Sequence, residues 1–311
     1  MPEEDYVWLP RENILRFEET ARLVEVFTDV GVDKVRLTGG EPLLRQRLHE
    51  LVRQIASNER VRDLALTTNG LLLAEQAAAL RAAGLHRITI SLDTLKPDVF
   101  TALTRRPGLE RVIEGIDVAA RLWPRNVKLD AVVMRGTNDG EIEALLEFAR
   151  ERGVELRFIE YMDVGGATQW SNDAVVSRAE MLARIAKRFG RVEEIRETSS
   201  APAQRFGLPD GTVFGIIAST TEPFCRACDR SRLTADGMWY LCMYAKLGID
   251  LRGALRTGTS RAALGELIAR TWRARDDRGA ELRLEAHARG PLVHADTLRA
   301  DPHLEMHTRG G

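Results

Sequence analysis

Short β-branched and apolar runs alternate, through about residue 162, with segments whose apolar positions recur at helical spacing. Residues 14–30 carry such a helical stripe and stop before Gly31, and 34–39 (KVRLTG) then reads as a buried strand. The unit recurs. RQRLHELVRQIA is followed by DLALTTN, LLAEQAAALRAAG by RITISLD, LERVIEGIDVAARLW by VKLDAVVM, and EIEALLEFARERG by ELRFIEYM. Five strand–helix alternations predict an α/β fold with parallel strands and outer helices, a barrel or a doubly wound sheet, in which function gathers at the C-terminal strand ends. After about Gly165 the pattern changes, which divides the chain into 1–165 and 166–311. A helix at 177–189 leads to two hairpins, RFGLPDGTVFGIIA with a Pro-Asp-Gly turn and RLTADGMWYLCM with Ala-Asp-Gly, and then to a last helix near 259–275.

Composition adds little beyond size. With 44% apolar residues in 311 the chain buries a large core, and a net charge of -1 gives no argument for a nucleic-acid or membrane partner. No apolar run approaches a membrane span and the acidic start is unlike a signal peptide, so a cytoplasmic protein is expected.

The cysteines change the picture. There are three, in the pattern Cys225-x2-Cys228-x13-Cys242 on and between the two hairpins. The odd count in a long chain argues for reduced thiolates that hold a metal or cluster rather than for disulfides. A closed structural zinc site takes four protein ligands, so three leave one position open to a substrate, or leave a zinc to be completed by a distant His287 or His294. The strand ends form a second constellation: Thr38-Gly39-Gly40-Glu41-Pro42, Thr67-Thr68-Asn69-Gly70, Ser91-Leu92-Asp93 and Tyr161-Met162. Glycines and a following helix start offer backbone N–H groups to a carboxylate or phosphate, though a turn before a helix explains the same residues. Trp8, Trp170, Trp239 and Trp272 read as packing.

LTGGEPLLR, LTTNG, SLDTL, FIEYM and FCRACDRSRLTADGMWYLC, in this order, resemble the GTP 3′,8-cyclase (MoaA) family of radical S-adenosylmethionine enzymes, over essentially the whole chain. The resemblance implies an incomplete (β/α)6 TIM-type barrel with a C-terminal α+β extension that carries a substrate-side 4Fe-4S cluster. It assigns Cys225, Cys228 and Cys242 to that cluster, and Arg230 and Arg232 to GTP and catalysis. Lys34, Arg36, Thr67 and Lys128 match further GTP positions, and Gly40, Ser91 and Met162 match positions that hold S-adenosylmethionine. Read without the resemblance, the two arginines are surface charges, the two lysines snorkel at strand ends, Met162 is core, and Ser91 and Thr67 satisfy local backbone. The Gly310-Gly311 tail resembles one that enters the active site in the family, with Arg309 where an apolar residue is expected. The implied reaction cleaves S-adenosylmethionine to a 5′-deoxyadenosyl radical, which takes hydrogen from C3′ of GTP so that the ribose adds to C8. It starts molybdenum cofactor synthesis, and it brings an electron donor, a downstream cyclic pyranopterin monophosphate synthase and a homodimer as expected partners.

One departure is large. Family members carry a Cys-x3-Cys-x2-Cys loop for an N-terminal 4Fe-4S cluster, followed by Met-Pro, whereas this sequence begins at Met1-Pro2-Glu3-Glu4. The expectation is a misplaced start codon or a fragmentary gene, with the barrel's first strand missing and the 311 residues inactive by themselves. Two alternatives stand beside it: a non-catalytic GTP- or cluster-binding remnant, and a zinc-stabilised barrel that acts as a binding module.

Overall fold

The computed structural model describes residues 7–197, 200–286 and 289–310. Eleven strands form among these: β1 Lys34–Leu37, β2 Asp63–Thr68, β3 Arg87–Ser91, β4 Val127–Val133, β5 Glu155–Glu160, β6 Glu193–Ile195, β7 Gln204–Gly207, β8 Val213–Ile217, β9 Arg232–Leu233, β10 Met238–Tyr240 and β11 Ile249–Asp250. The helices are α1 Phe17–Asp29, α2 Leu48–Ala56, α3 Leu73–Ala82, α4 Pro97–Thr104, α5 Leu109–Leu122, α6 Ile142–Glu151, α7 Arg178–Phe189, α8 Leu251–Arg256, α9 Arg261–Arg273, α10 Gly279–Glu285, α11 Ala295–Ala300 and α12 Met306–Arg309.

Eight strands make one sheet in the order β1-β2-β3-β4-β5-β8-β7-β6. Strands β1 to β5 pair in parallel as the alternation predicts. Strand β8 extends the parallel run beside β5, while β7 and β6 close the sheet antiparallel. The sheet therefore runs past residue 165. The Pro-Asp-Gly hairpin is β7–β8, and its second strand does two jobs, returning from β7 and adding a sixth parallel strand. The fold is mixed α/β built on a parallel sheet.

Alternation along the strands decides which face meets the helices. Leu64, Leu66, Ile88, Ile90, Leu129, Ala131, Leu156, Phe158, Phe214 and Ile216 are buried in one core with apolar residues of α2, α3, α5, α6 and α7. Each large side chain buried there stabilises the fold by about 1.5–3 kcal/mol. Their neighbours in sequence are largely polar and point to the other face. KVRL at 34–37 departs from the buried strand expected: β1 is an edge of the sheet, with Lys34 and Arg36 exposed.

A second core joins α1, α8, α9 and β10 through Leu15, Leu23, Val26, Phe27, Trp239, Leu251, Leu255, Leu264 and Ile268. Trp239 meets Phe27 edge-on at 5.5 Å between ring centroids. The Leu15 N–H donates to the Ala235 carbonyl at 2.8 Å, and Arg256 grips Glu19 at 2.8 and 3.0 Å. The cysteine-bearing hairpin is thus seated on α1, the helix that leads into β1.

Packing is tight where β2 turns into α3. Gly70 has φ +81°, and a Cβ there would lie 2.9 Å from Ile90 Cγ2 and 3.1 Å from Val112 Cγ1. Both the backbone region and the space exclude a side chain, so Gly70→Ala is expected to cost about 1–3 kcal/mol. Urea unfolding measures this; a variant as stable as the parent would mean that the turn is not packed to contact.

Candidate functional site

The polar sheet face carries most of the nucleotide positions expected from sequence. Arg36 of β1 donates from Nη1 to Thr67 Oγ1 at 2.7 Å and to Thr89 Oγ1 at 3.1 Å, which brings three strands together. Its guanidinium is accessible to water yet crowded by protein, and burial, with Arg87 and Arg157 adding in the same direction, lowers it to about 10. It stays charged at neutral pH. Lys128 of β4 donates to Glu155 Oε1 at 2.7 Å, and Arg205 takes the other oxygen of Glu155 at 3.0 Å. Arg157 forks onto Asp130 at 2.7 and 2.9 Å, and Arg87 onto Asp63 at 2.6 Å through both oxygens. Lys34 is exposed and makes no ion pair among the described residues.

These residues lie on the strands themselves, below the rim. Thr89, Asp130, Glu155, Arg157 and Arg205 were not singled out from the sequence. The signal for most of them was the alternation in Arg87-Ile88-Thr89, Lys128-Leu129-Asp130 and Glu155-Leu156-Arg157, which marks a strand with one charged face. A face so charged is stable only against water or a polar ligand.

At the C-terminal strand ends, buried glutamates hold the loops. Glu41 accepts from Leu43 N and Asn69 N at 2.9 and 2.7 Å and from Thr68 Oγ1 at 2.7 Å. Burial outweighs these donors and pushes its carboxyl up. Glu141 accepts from Thr94 Oγ1 and Leu95 N, and Glu160 from Arg178 N, Thr220 N and Thr221 N. Because the strands are parallel, Gly40 after β1, Ser91 at the end of β3 and Met162 after β5 share this edge. Gly40 faces the C-terminal tail: a Cβ on it would lie 3.6 Å from His307 Cβ and from Trp8 Cζ3.

The next residue after Met162 is the strongest pin in the site. Asp163 is fully buried (0% exposed) and accepts from Arg283 Nε at 2.8 Å, Arg289 Nε at 3.1 Å and the Tyr244 hydroxyl at 3.1 Å. Burial pushes its carboxyl up, but Arg289 and Arg283 outweigh it and hold it below the ordinary aspartate value. The Tyr244 N–H in turn points to Cys242 Sγ at 3.5 Å. One carboxylate thus ties the end of β5 to the cysteine segment and to the residues that lead into the tail.

Around the cysteines the charge is positive. Arg275 donates to the Cys228 carbonyl at 2.8 Å and approaches its sulfur at 3.6 Å. Burial raises the Cys228 thiol, yet the Arg230 backbone N–H and guanidinium, with Arg275, outweigh burial and lower it, which favours thiolate. Arg230 stacks on Phe224 at 5.1 Å. Burial and then Arg230 bring Arg232 down to about 10, against the pull of Cys242 and Cys228.

The tail reaches this hairpin. Gly310 O accepts from Arg232 Nε at 3.3 Å, and its φ of +77° and the 2.5 Å that would separate a Cβ from Thr38 Cγ2 leave room for glycine alone. His303 Nε2 lies 2.9 Å from Asp236 Oδ2 in the hairpin turn, which fastens the tail where it enters. Gly311, like Met1-Pro2-Glu3-Glu4 and His287, lies outside the described residues.

The structure brings Arg232, Gly310, Thr38 and Gly40 into one neighbourhood, with Cys228 and Cys242 within electrostatic reach of Arg232. It does not gather three or more His, Cys, Asp or Glu side chains into a group able to hold a metal ion, among the described residues. The donor set nonetheless fits an iron–sulfur cluster by its chemistry: thiol sulfurs with N–H groups aimed at two of them and cations beside them. No helix among the described residues is long and apolar enough to cross a membrane.

Comparison with known proteins bears on both halves. The Radical SAM superfamily matches residues 5–149, and the family Molybdenum Cofactor Synthesis C matches residues 154–281. GTP 3′,8-cyclase 1 of Mycobacterium tuberculosis is 54% identical over 315 residues, covering 100% of this chain and 88% of that one. The GTP 3′,8-cyclase of Acidothermus cellulolyticus is 47% identical over 293 residues, covering 91% of this chain and 81% of its own. Among solved structures, Streptococcus suis SuiB matches with a TM-score of 0.54 at 16% identity, over 88% of this chain and 62% of that one, a likeness of fold alone.

Proposed function

Since this chain belongs to the GTP 3′,8-cyclase family of radical S-adenosylmethionine enzymes, we propose that its charged sheet face and its arginine–cysteine hairpin together hold GTP for conversion to 3′,8-cyclo-7,8-dihydro-GTP, the first step of molybdenum cofactor synthesis. The observation that carries the reading is the hairpin, where Arg232 feels Cys228, Cys242 and Arg230 and donates to Gly310 of the tail. In this reading the parallel strands are part of an incomplete (β/α)6 barrel, and 166–311 contributes the cluster-binding extension.

Cys225, Cys228 and Cys242 would hold a 4Fe-4S cluster, which supplies an open iron position for the guanine base. Arg230 and Arg232 offer planar forks of donors to phosphate or guanine acceptors. Arg36, Thr67, Lys34 and Lys128 hold the rest of the nucleotide on the sheet face. Arg36 reaches it from its threonine platform, and Lys128 by exchanging or sharing Glu155. Gly40, Ser91 and Met162 take S-adenosylmethionine at the strand ends, and Gly310-Gly311 closes the pocket. The contribution of these side chains is to hold two ligands with their reacting atoms close.

All three cysteines of the 311 residues flank the β9–β10 hairpin, so they would supply thiolates for one such cluster, and the reductive cleavage of S-adenosylmethionine is assigned to none of them. The reading includes an external electron donor, a cytoplasmic location, a homodimer, and a downstream cyclic pyranopterin monophosphate synthase. Anaerobic reconstitution tests it. The 311 residues are expected to take up about four irons per chain, to bind GTP, and to release no 5′-deoxyadenosine. Zinc in place of iron, or a reconstituted chain that ignores GTP, would reject the reading.

A further inference from the structure

Three guanidinium groups converge beside the cysteine hairpin, and the third comes from the tail. Arg309 is 4% exposed. Its Nη1 donates to the Met243 carbonyl at 2.8 Å, its Nε to the His303 carbonyl, and its guanidinium lies 4.3 Å from the centre of the Tyr240 ring. Its Nη2 is buried and makes no hydrogen bond of ordinary geometry among the described residues, although the Tyr240 side chain lies near the guanidinium; Arg230 Nε is likewise buried and without one. Arg230, Arg232 and Arg309 form no ion pair with a carboxylate among the described residues, whereas Arg157, the other arginine buried to a similar degree, forks onto Asp130. Arg230 and Arg309 each lower the neighbouring Arg232, as like charges packed together must.

Guanidinium does not lose its proton to escape such a setting. A buried cation with a spare N–H is costly unless an anion or an oxygen acceptor arrives. The sulfurs do not fill the gap for Arg309: Cys228 has Arg275 and Cys242 has the Tyr244 N–H.

We propose that Arg309 is a substrate-binding residue, a third guanidinium that the C-terminal tail delivers to Arg230 and Arg232, and that its free Nη2 donates to an oxygen of the bound nucleotide, on phosphate or on the guanine carbonyl. Seating the tail and seating the substrate then become one event. The tail is fastened at His303 and Asp236, and Arg309 lies six residues farther on, against Met243 and Tyr240 beside the cysteines.

The inference rests on GTP being the substrate, and the test separates the two. Equilibrium dialysis on the anaerobically reconstituted chain gives the affinity for GTP, inorganic triphosphate and guanosine, for the parent, Arg309→Gln and Arg309→Lys. Failure of the parent to bind GTP would remove the substrate reading itself. With the parent binding, Arg309→Gln is expected to weaken GTP about tenfold, a factor that corresponds to one good charged hydrogen bond. Arg309→Lys, which keeps the charge without the fork, is expected to lie between. A matching loss on triphosphate marks a phosphate contact, and a loss on guanosine marks the guanine carbonyl. Full affinity in Arg309→Gln would overturn the proposal; so would a Lys variant as weak as the Gln variant, because a loss insensitive to charge is a loss of packing.

Discussion

Cys228→Ala is expected to lower the iron of the reconstituted chain from about four per chain to under about one. A cluster held by Cys225, Cys228 and Cys242 would lose a third of its protein ligands, and the remaining two thiolates would not fix its orientation. Cys228 is the informative choice because its carbonyl and sulfur are both addressed by Arg275, so that the side chain is placed before any iron arrives. GTP affinity is expected to fall with the iron, since in the proposed site guanine would lose its metal partner while Arg36 and Lys128 remain on the sheet face. Iron and acid-labile sulfide analysis, with dialysis against GTP, reads both. Four irons retained in Cys228→Ala would remove this cysteine from the ligand set.

Asp163→Asn is expected to be the most destabilising of the conservative substitutions. It leaves the guanidinium groups of Arg283 and Arg289 facing a neutral amide at a fully buried position, and removing one partner of a buried charge pair costs about 3–5 kcal/mol. In a protein of this size that lowers the thermal midpoint by about 10 °C. The pH dependence carries the sign. The native carboxyl titrates below its ordinary value, so its stabilisation is complete above the unfolded value near 3.8 and is lost as the pH falls through the native one. The Asn variant should therefore lose less stability than the parent between pH 5 and about 3. Melts followed by circular dichroism across that range measure it. Parallel curves for the two proteins would show that the aspartate contributes no charge interaction.

The parallel strands and outer helices were legible from periodicity, and so was the Pro-Asp-Gly hairpin. What periodicity did not reveal was that the hairpin's second strand joins the main sheet: β8 reads as apolar because it is buried on both sides, and nothing local in Val213–Ile217 names β5 as its partner. The cysteine spacing and the rim residues drew attention, through their chemistry, to segments that the fold brings near one another, Arg232 beside Gly310 of the tail and Gly310 beside Thr38. The pairings of Asp163 with Arg289 and of Asp236 with His303 escaped notice because they join residues 126 and 67 positions apart, separations that no short motif spans. Arg309 was visible only as a departure, an arginine in an apolar place, and its surroundings give that departure a physical reason.

Glu41, Glu141 and Glu160 fasten the rim loops through bonds made wholly within the protein, each by two or more donors. Freezing a residue's backbone costs about 1–2 kcal/mol of conformational entropy, and here folding has already met that cost along much of the pocket's edge. Ligand capture at the rim should then show a small entropic penalty and rapid, single-phase association. Any slow phase would belong to the tail, the element that in the proposed site would have to withdraw and return around the nucleotide.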